Sequence, residues 1–342
     1  MNMVLWKGLV LKFGIGLSTC REGLFYPVGF ASAENLKVVT QKAETLGYDS
    51  VWGNDHITKQ TYLKNRGEPN FFEPLVVFSN LAAFTKRVIL GTGVIIGPMR
   101  NPVILAKQAI SLDHVSGGRF VLGVGLGAYK EEFEAFGGKG SRGAILDESV
   151  EALRELLDKP VASFHGKYIQ FSEIEMYPKA LQNPFPIYIG GNASSVLKRI
   201  ALYGNGWLPA ALTPQDLKKG MEQIREYTKT AKRNHVKIET APEAGCSISK
   251  DSTQARKDFF NSPMYHHILS LQKSTLKDLK SFGQEELLKR NFVGNPSEII
   301  KRIESYEEVG VQHLWFDFIA DTVEEKLERM ELFAETVFPS FK

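Results

Sequence analysis

The chain has 342 residues, 43% of them hydrophobic and 24% charged, a balance that allows a sizeable core without metals or disulfides. Its 42 Lys plus Arg against 39 Asp plus Glu leave +3, too little charge to imply a nucleic-acid surface. No apolar run approaches the roughly 20 residues that span a bilayer, and the opening MNMVLWKGLVLKFGIGL has no clear signal-peptide core, so a cytoplasmic protein with a ragged lead-in is expected.

In chain order, Lys12 to Leu17 reads as a strand. Ala33 to Leu46 reads as a helix on the spacing of Leu36, Val39, Ala43 and Leu46, ended by Gly47. Ser50 to Gly53 is a second strand, and Phe72 to Phe84 a helix with Pro74 near its start. Arg87 to Ile96 is a continuous apolar strand, too apolar for a sheet with one wet face. A helix from Pro102 to Val115 closes at Gly117-Gly118, and Arg119 to Gly125 is the fourth strand. Tyr129 to Gly143 reads as a loop, Ala144 to Leu157 as a helix, and 161 to 177 as a β-hairpin. Ile187 to Gly190 and Gly206 to Pro209 are the fifth and sixth strands, followed by helices over Ser194 to Tyr203 and Thr213 to Lys232. A seventh strand falls within 237 to 249, and 251 to 292 reads as a helical insertion. A helix from Pro296 to Val309, a strand from Gln312 to Ile319 and a helix from Thr322 to Phe333 complete the series.

Strands that are apolar on both faces need helices on both sides, or a closed ring filled with side chains and jacketed by helices. Eight strand–helix units without a dividing linker point to one α/β domain over 1–342, a (β/α)8 TIM barrel with insertions in the loops at its C-terminal face. A doubly wound open sheet is the other arrangement. The hairpin and the 251 to 292 insertion are expected to serve as lids.

Barrel enzymes work at strand ends. Asn54-Asp55-His56 puts a carboxylate and an imidazole there, either for hydrogen bonding and proton transfer or as a structural pair. Gly91-Thr92-Gly93 interrupts a good strand, as backbone does where it approaches a ligand or relieves crowding. Gly123-Val124-Gly125-Leu126-Gly127 fails the dinucleotide fingerprint because Ala128 stands where glycine is required. Gly190-Gly191-Asn192-Ala193-Ser194-Ser195 leads into a helix, as an anion cradle or as an ordinary cap on Asn192 or Ser194. Arg100 and Arg142 lie in loops, where either could clamp an anionic group; Arg142 could instead pair with Asp147 or Glu148. Asp113-His114 reads as a structural hydrogen-bonding pair. The seven histidines show no metal-ligand spacing, and Cys20 and Cys246 read as reduced thiols, with a disulfide the alternative.

Several segments together resemble the bacterial luciferase-like flavin monooxygenases and deazaflavin-dependent oxidoreductases. They are Gly47-Tyr48-Asp49-Ser50-Val51-Trp52 before Asp55-His56, Leu90-Gly91-Thr92-Gly93-Val94, Arg100-Asn101-Pro102 before Ala106-Lys107-Gln108, Leu112 to Arg119, Leu122-Gly123-Val124-Gly125, and Pro186 to Gly191. The resemblance implies a flavin ring at the barrel mouth, a cis peptide under it at Gly93-Val94, and a phosphate held at the Gly190-Gly191 turn and the helix after it. It gives Asp55 and His56 as the residues for chemistry. With the strand-end residues read above, the expected cofactor contacts are Asn54, Thr92, Gly93, Val94, Gly125, Gly127, Arg142, Gly190, Gly191 and Ser194. No metal is expected.

The family implies a homodimer that uses reduced FMN and O2 to oxidise a small organic substrate, supplied with reduced flavin by a separate NAD(P)H:flavin reductase. Hydride transfer with the deazaflavin F420 on the same barrel is the alternative, and a non-catalytic flavin-binding protein a third reading. Two departures matter. The luciferases carry Glu-His-His where this chain has Asn54-Asp55-His56, and the deazaflavin sugar-phosphate dehydrogenases carry a glutamate where it has Ala128.

Overall fold

The computed structural model describes residues 11–59, 63, 67–270 and 283–342; the expected lead-in and the middle of the 251 to 292 insertion lie outside them. The strands are β1 (Lys12–Gly16), β2 (Ser50–Gly53), β3 (Ile89–Thr92), β4 (Ile95–Ile96), β5 (Phe120–Gly125), β6 (Val161–His165), β7 (Gln170–Glu175), β8 (Ile187–Gly190), β9 (Gly206–Leu208), β10 (Glu239–Thr240), β11 (Glu243–Ile248), β12 (Phe292–Gly294) and β13 (His313–Phe318). The helices are α1 (Ala33–Leu46), α2 (Pro74–Ala82), α3 (Pro102–Ser116), α4 (Lys130–Ala135), α5 (Arg142–Asp158), α6 (Ser194–Tyr203), α7 (Pro214–Thr230), α8 (Ser252–Asn261), α9 (Pro263–Ser270), α10 (Gln284–Arg290), α11 (Pro296–Glu307) and α12 (Val323–Thr336).

The main sheet is curled and parallel, in the order β10-β9-β8-β5-β3-β2-β1-β13-β11-β12, with β4 beside β5. Chain-consecutive strands joined through helices are what continuous apolar strands require. Strands β10 and β11 are parts of one run interrupted at Ala241-Pro242. On one side of it Ala241 N donates to Trp207 O at 2.8 Å; on the other Trp315 N donates to Pro242 O at 3.2 Å.

Side chains fill both faces of the sheet. Outside, Phe13 of β1 stacks on Phe316 and Phe338 and meets Phe333 of α12 edge-on. Inside, Trp52, Val121, Tyr188, Leu208, Ala241 and Trp315 form a separate buried cluster, with Trp52 and Trp315 stacked at 5.6 Å. Gly123 is required here for close approach: a Cβ on it would stand 1.9 Å from the Thr92 carbonyl oxygen.

A polar chain threads the interior. Trp52 Nε1 donates to Ser50 Oγ at 2.8 Å, Ser50 Oγ lies 2.7 Å from His313 Nε2, and His313 Nδ1 lies 2.7 Å from Glu239. Lys12 Nζ reaches the same carboxylate at 3.0 Å. Burial pushes the Glu239 pKa up, but His313 and Lys12 outweigh it and bring the group down to about 2. Four strands are thereby tied through one imidazole.

The structure changes five expectations. The strand over Arg87 to Ile96 is two short strands, β3 and β4, broken at Gly93-Val94; Gly93 stands at the interruption, while Gly91 stays within β3, where a Cβ would come 2.4 Å from the Trp52 ring and the glycine relieves crowding. The stretch from Tyr129 to Gly143 contains α4, whose Glu132 and Phe133 are buried. Phe292 belongs to β12, which pairs with β11, so the insertion stops short of it. The hairpin of β6 and β7 packs outside, where Glu148 of α5 accepts from the N–H groups of Lys167, Tyr168 and Ile169; it does not cover the mouth. Asp113 and His114 do not pair with each other: Asp113 accepts from Leu181 N and Gln182 N, and His114 Nε2 meets Lys179 O.

The interior chain yields a stability expectation. Replacing His313 with Ala leaves Glu239 and Ser50 without their shared partner, and should cost roughly 2–4 kcal/mol of unfolding free energy in a denaturant titration. A loss within ordinary surface values would show that the imidazole ties nothing together.

Candidate active site

The C-terminal ends of the strands enclose a cavity of about 220 Å3. Asn54-Asp55-His56 line it after β2, Gly93, Val94 and Ile96 at the strand break, and Gly127, Ala128 and Tyr129 after β5. Arg21, Leu24 and Phe25 come from the loop after β1, Ala210 and Ala211 from the end of β9, and Glu243 to Gly245 from β11. Met264, His267 and Ile268 of α9, with Asn291, complete the lining, so the described part of the 251 to 292 insertion does face the mouth.

The Gly93-Val94 peptide is cis. Thr92 and Ile95 on either side are buried, while Gly93 and Val94 are half-exposed. The Val94 side chain occupies a notch between two glycines. A Cβ on Gly125 would stand 2.5 Å from Val94 Cγ2, and one on Gly190 2.6 Å from Val94 Cγ1. The result is a small apolar ledge with glycine backbone beside it. Thr92 does not face the cavity: its hydroxyl donates to Gly123 O at 2.9 Å and accepts from Gly123 N at 2.8 Å, joining β3 to β5.

Asp55 is 2% exposed. Arg100 Nη2 donates to its Oδ1 at 2.6 Å and Ile96 N to its Oδ2 at 3.1 Å, so both oxygens are engaged. Arg100 also pairs with Glu73 at 3.1 Å, which leaves it tied between two carboxylates rather than open to an anion. Asn54 turns the other way, accepting from Cys20 N at 3.3 Å and donating to Cys20 O at 3.2 Å. It thereby fastens the loop after β1.

His56 is held differently. Its Nδ1 lies 2.9 Å from Glu132 Oε2, and its ring rests near Phe71 and Tyr129. Glu132 also accepts from Ile57 N at 2.7 Å and Thr58 N at 3.2 Å. Burial alone would raise the Glu132 pKa; the His56 contact and those two N–H groups reverse the direction and lower it. An ionised carboxylate only accepts, so the proton between the two sits on Nδ1, and Nε2 is left to take or give one.

On the far side of the ledge, Gly191 has φ +123° and donates its N–H to Leu208 O at 3.1 Å. Helix α6 follows, with Ser194 and Ser195 exposed and no side chain bonded at its N-cap, Ala193. Asn192 is not that cap; its amide donates to Ala210 O at 2.9 Å. Arg142 is half-buried and donates to Gly127 O at 3.1 Å; Asp147 pairs instead with Arg199. Ser194, Gly191 and Arg142 lie outside the cavity lining, whereas Asn54, Asp55, His56, Gly93, Val94 and Gly127 are brought together within it.

The family model for luciferase-like monooxygenases matches residues 11–313. The chain belongs to the luciferase-like monooxygenase family. This luciferase-like chain is 28% identical over 290 residues to an F420-dependent glucose-6-phosphate dehydrogenase of Kineococcus radiotolerans, covering 80% of the chain and 84% of that protein. It is 26% identical over 326 residues to an FMNH2-dependent dimethylsulfone monooxygenase of Pseudomonas putida, covering 88% and 86%. Its fold matches a monooxygenase from Streptomyces bottropensis with a TM-score of 0.80 at 23% identity, over 97% of this chain and all of that one.

Sequence reasoning gave no role to Glu132, Arg21 or Glu243. Glu132 lies in the segment expected to be a loop, where only the spacing of Phe133 and Phe136 hints at a helix. Arg21 and Glu243 are separated by 222 positions, and no local pattern joins them.

The Val94 notch can be tested by overpacking. Gly190→Ala should cost roughly 1–3 kcal/mol in chemical denaturation, and adding Val94→Ala to it should recover most of that loss. An unchanged midpoint in the single variant would show that Val94 is not confined.

Proposed function

We propose that this chain is an oxidoreductase that holds the deazaflavin F420 at the cavity mouth and moves a hydride between it and a small organic substrate, with His56 as the proton carrier. The observation that carries this reading is the His56–Glu132 contact at 2.9 Å on the wall of the cavity. Hydride transfer to or from a C–O group needs a proton acceptor or donor at the oxygen. An imidazole whose Nδ1 proton is fixed by a buried carboxylate offers Nε2 for that task.

The residues fit such a cofactor. A flat ring requires a surface without bulky branches, and the Val94 ledge between Gly125 and Gly190 supplies one. Gly93 and Gly127 let backbone lie close to it. The open N-terminus of α6 at Ala193, with the Ser194 hydroxyl, would hold the phosphate, and Gly191 frees the approach. Arg142 and Asn54 would act by fixing the Gly127 and Cys20 backbones rather than by direct contact. When bound, F420 supplies two-electron hydride chemistry. Asp55 holds the strand break in place beside His56, and His56 takes the proton from a substrate hydroxyl in oxidation or returns it in reduction.

The strand pairings support a closed (β/α)8 ring forming one domain over 1–342, because the β10–β11 run bonds to β9 on one side and β13 on the other. The position of α9 supports a lid role for that helix of the insertion. The family reading further gives a cytoplasmic homodimer with a small-molecule substrate.

A second reading, oxidation by reduced FMN and O2 with a separate reductase, is favoured by the relative matched over 88% of the chain and by the largely apolar lining. Parallel titrations with F420 and FMN, read by ring fluorescence, decide between them. F420 should bind at least about tenfold more tightly. Retention of FMN alone, with O2 uptake on reduction, would install the second reading instead. His56→Ala should lower kcat by about 10²–10⁴-fold while leaving F420 affinity nearly unchanged. Equal losses of both would make His56 a cofactor ligand.

A further inference from the structure

We propose that Glu243, clamped to Arg21, is the specificity-determining residue that meets the substrate's polar group and restricts substrates to uncharged molecules carrying a hydroxyl or carbonyl oxygen. The inference rests on the hydride-transfer reading above and names the substrate class for the same cavity.

The lining is mostly hydrocarbon: Leu24, Phe25, Val94, Ile96, Met264 and Ile268 make up much of it. A polar substrate atom there needs a polar partner. Asp55, Asn54 and Asn291 of the lining are engaged with neighbours, and the polar groups beside them include His56, His267 and the Arg21–Glu243 pair. The side chain of Arg21 is 3% exposed and that of Glu243 19%. Arg21 Nη1 donates to Glu243 Oε1 at 2.6 Å and to Asp317 Oδ2 at 2.5 Å. Its guanidinium is fixed over Phe25 at 4.6 Å and near Trp315 at 5.5 Å. Arg21 Nε is buried without a hydrogen-bond partner, so one donor of the clamp is still unmet.

The pair suits an uncharged substrate because the cation is already matched. Two carboxyl groups meet one guanidinium, and an incoming anion would have to displace one of them in apolar surroundings. A phosphorylated sugar, the substrate named for the Kineococcus radiotolerans relative, is therefore a poor fit here. A hydroxyl or carbonyl oxygen asks only for a donor or an acceptor. Glu243 can serve as either, and burial, opposed by Arg21 and reinforced by Asp317, holds it well above the usual carboxylate range. Protonated, it donates to a carbonyl; ionised, it accepts from a hydroxyl. The groups packed around it are Arg21 and Tyr26 from the loop after β1, Asp317 from β13, and Lys326 of α12 behind Tyr26 at 2.8 Å. His267 of α9 lines the same cavity. Lys326 is itself brought to about 7, chiefly by burial, and needs its own control.

Tryptophan fluorescence, reporting on Trp315 beside Arg21, reads the binding of cyclohexanone, cyclohexanol, cyclohexanecarboxylate and glucose 6-phosphate to the F420-loaded full chain at acid and alkaline sides of neutrality. The two neutral probes should bind, and both anions at least about tenfold more weakly. Cyclohexanone should bind more tightly on the acid side and cyclohexanol on the alkaline side. Glu243→Gln should abolish that pH dependence. Should that variant fail to fold, Glu243→Asp, which withdraws the carboxyl by one methylene, should lose about tenfold affinity for both neutral probes. An anion bound as tightly as the neutral probes, neither neutral probe bound, or a Glu243→Gln variant that keeps the wild-type pH dependence would overturn the proposal; the last would assign the titration to Lys326. F420 fluorescence, read separately, distinguishes the failures. Loss of F420 binding in the wild type sinks the cofactor reading, whereas equal F420 affinity in wild type and variant with indiscriminate probes sinks only the role of Glu243.

Discussion

A buried carboxylate sets the geometry of the mouth. Asp55 accepts from the Arg100 guanidinium on one oxygen and from Ile96 N–H on the other, which ties the end of β2 to the chain just past the strand break. Such a group is stable in the interior only while its partners stay in place, since an unpaired buried ion costs several kcal/mol. Two consequences follow in space. The backbone at Gly93 and Val94 is held at the cavity, where Val94 sits in its glycine notch. His56, the next residue along, is brought within reach of Glu132.

The cavity thus has two polar poles in a largely apolar wall. The His56–Glu132 pole keeps its carboxylate ionised and its imidazole oriented, an arrangement suited to moving a proton. The Arg21–Glu243–Asp317 pole sets two carboxyl groups on one guanidinium, with Glu243 held above the usual carboxylate range by burial. In the proposed function the first would serve the reaction, and in the further inference the second would serve the choice of substrate. Neither requires a free cation at the substrate.

The fold was legible where backbone chemistry is local. Helix α1 falls at Ala33–Leu46, capped by Ser32 and closed by Gly47 with φ +87°, and β8 falls at Ile187–Gly190, as periodicity and turn residues required. The strand break at Gly93-Val94 came from the family resemblance, because an apolar run reads as one strand whether or not it is interrupted. In the site, His56 could be picked out, but its partner could not. Asp55 looked equivalent to it in sequence, and only the placement of Arg100, 45 positions on, separates a buried tie from a group free to act. The Arg21–Glu243 pair was invisible, since it forms only when β1 and β11, far apart in sequence, flank β13 in the sheet. Ala128 signalled what this chain lacks relative to the sugar-phosphate dehydrogenases, and the structure places it on the cavity wall.

Amide hydrogen exchange with and without F420 tests the central claim most directly, because glycine backbone lies beside the Val94 ledge and the proposed phosphate cradle is a helix N-terminus. Binding should slow exchange together at Gly93–Ile96 and at the first turn of α6 from Ser194 onward, with the β6–β7 hairpin unchanged. Protection confined to other surfaces, or exchange at Val94 and Ser194 indifferent to saturating F420, would contradict it.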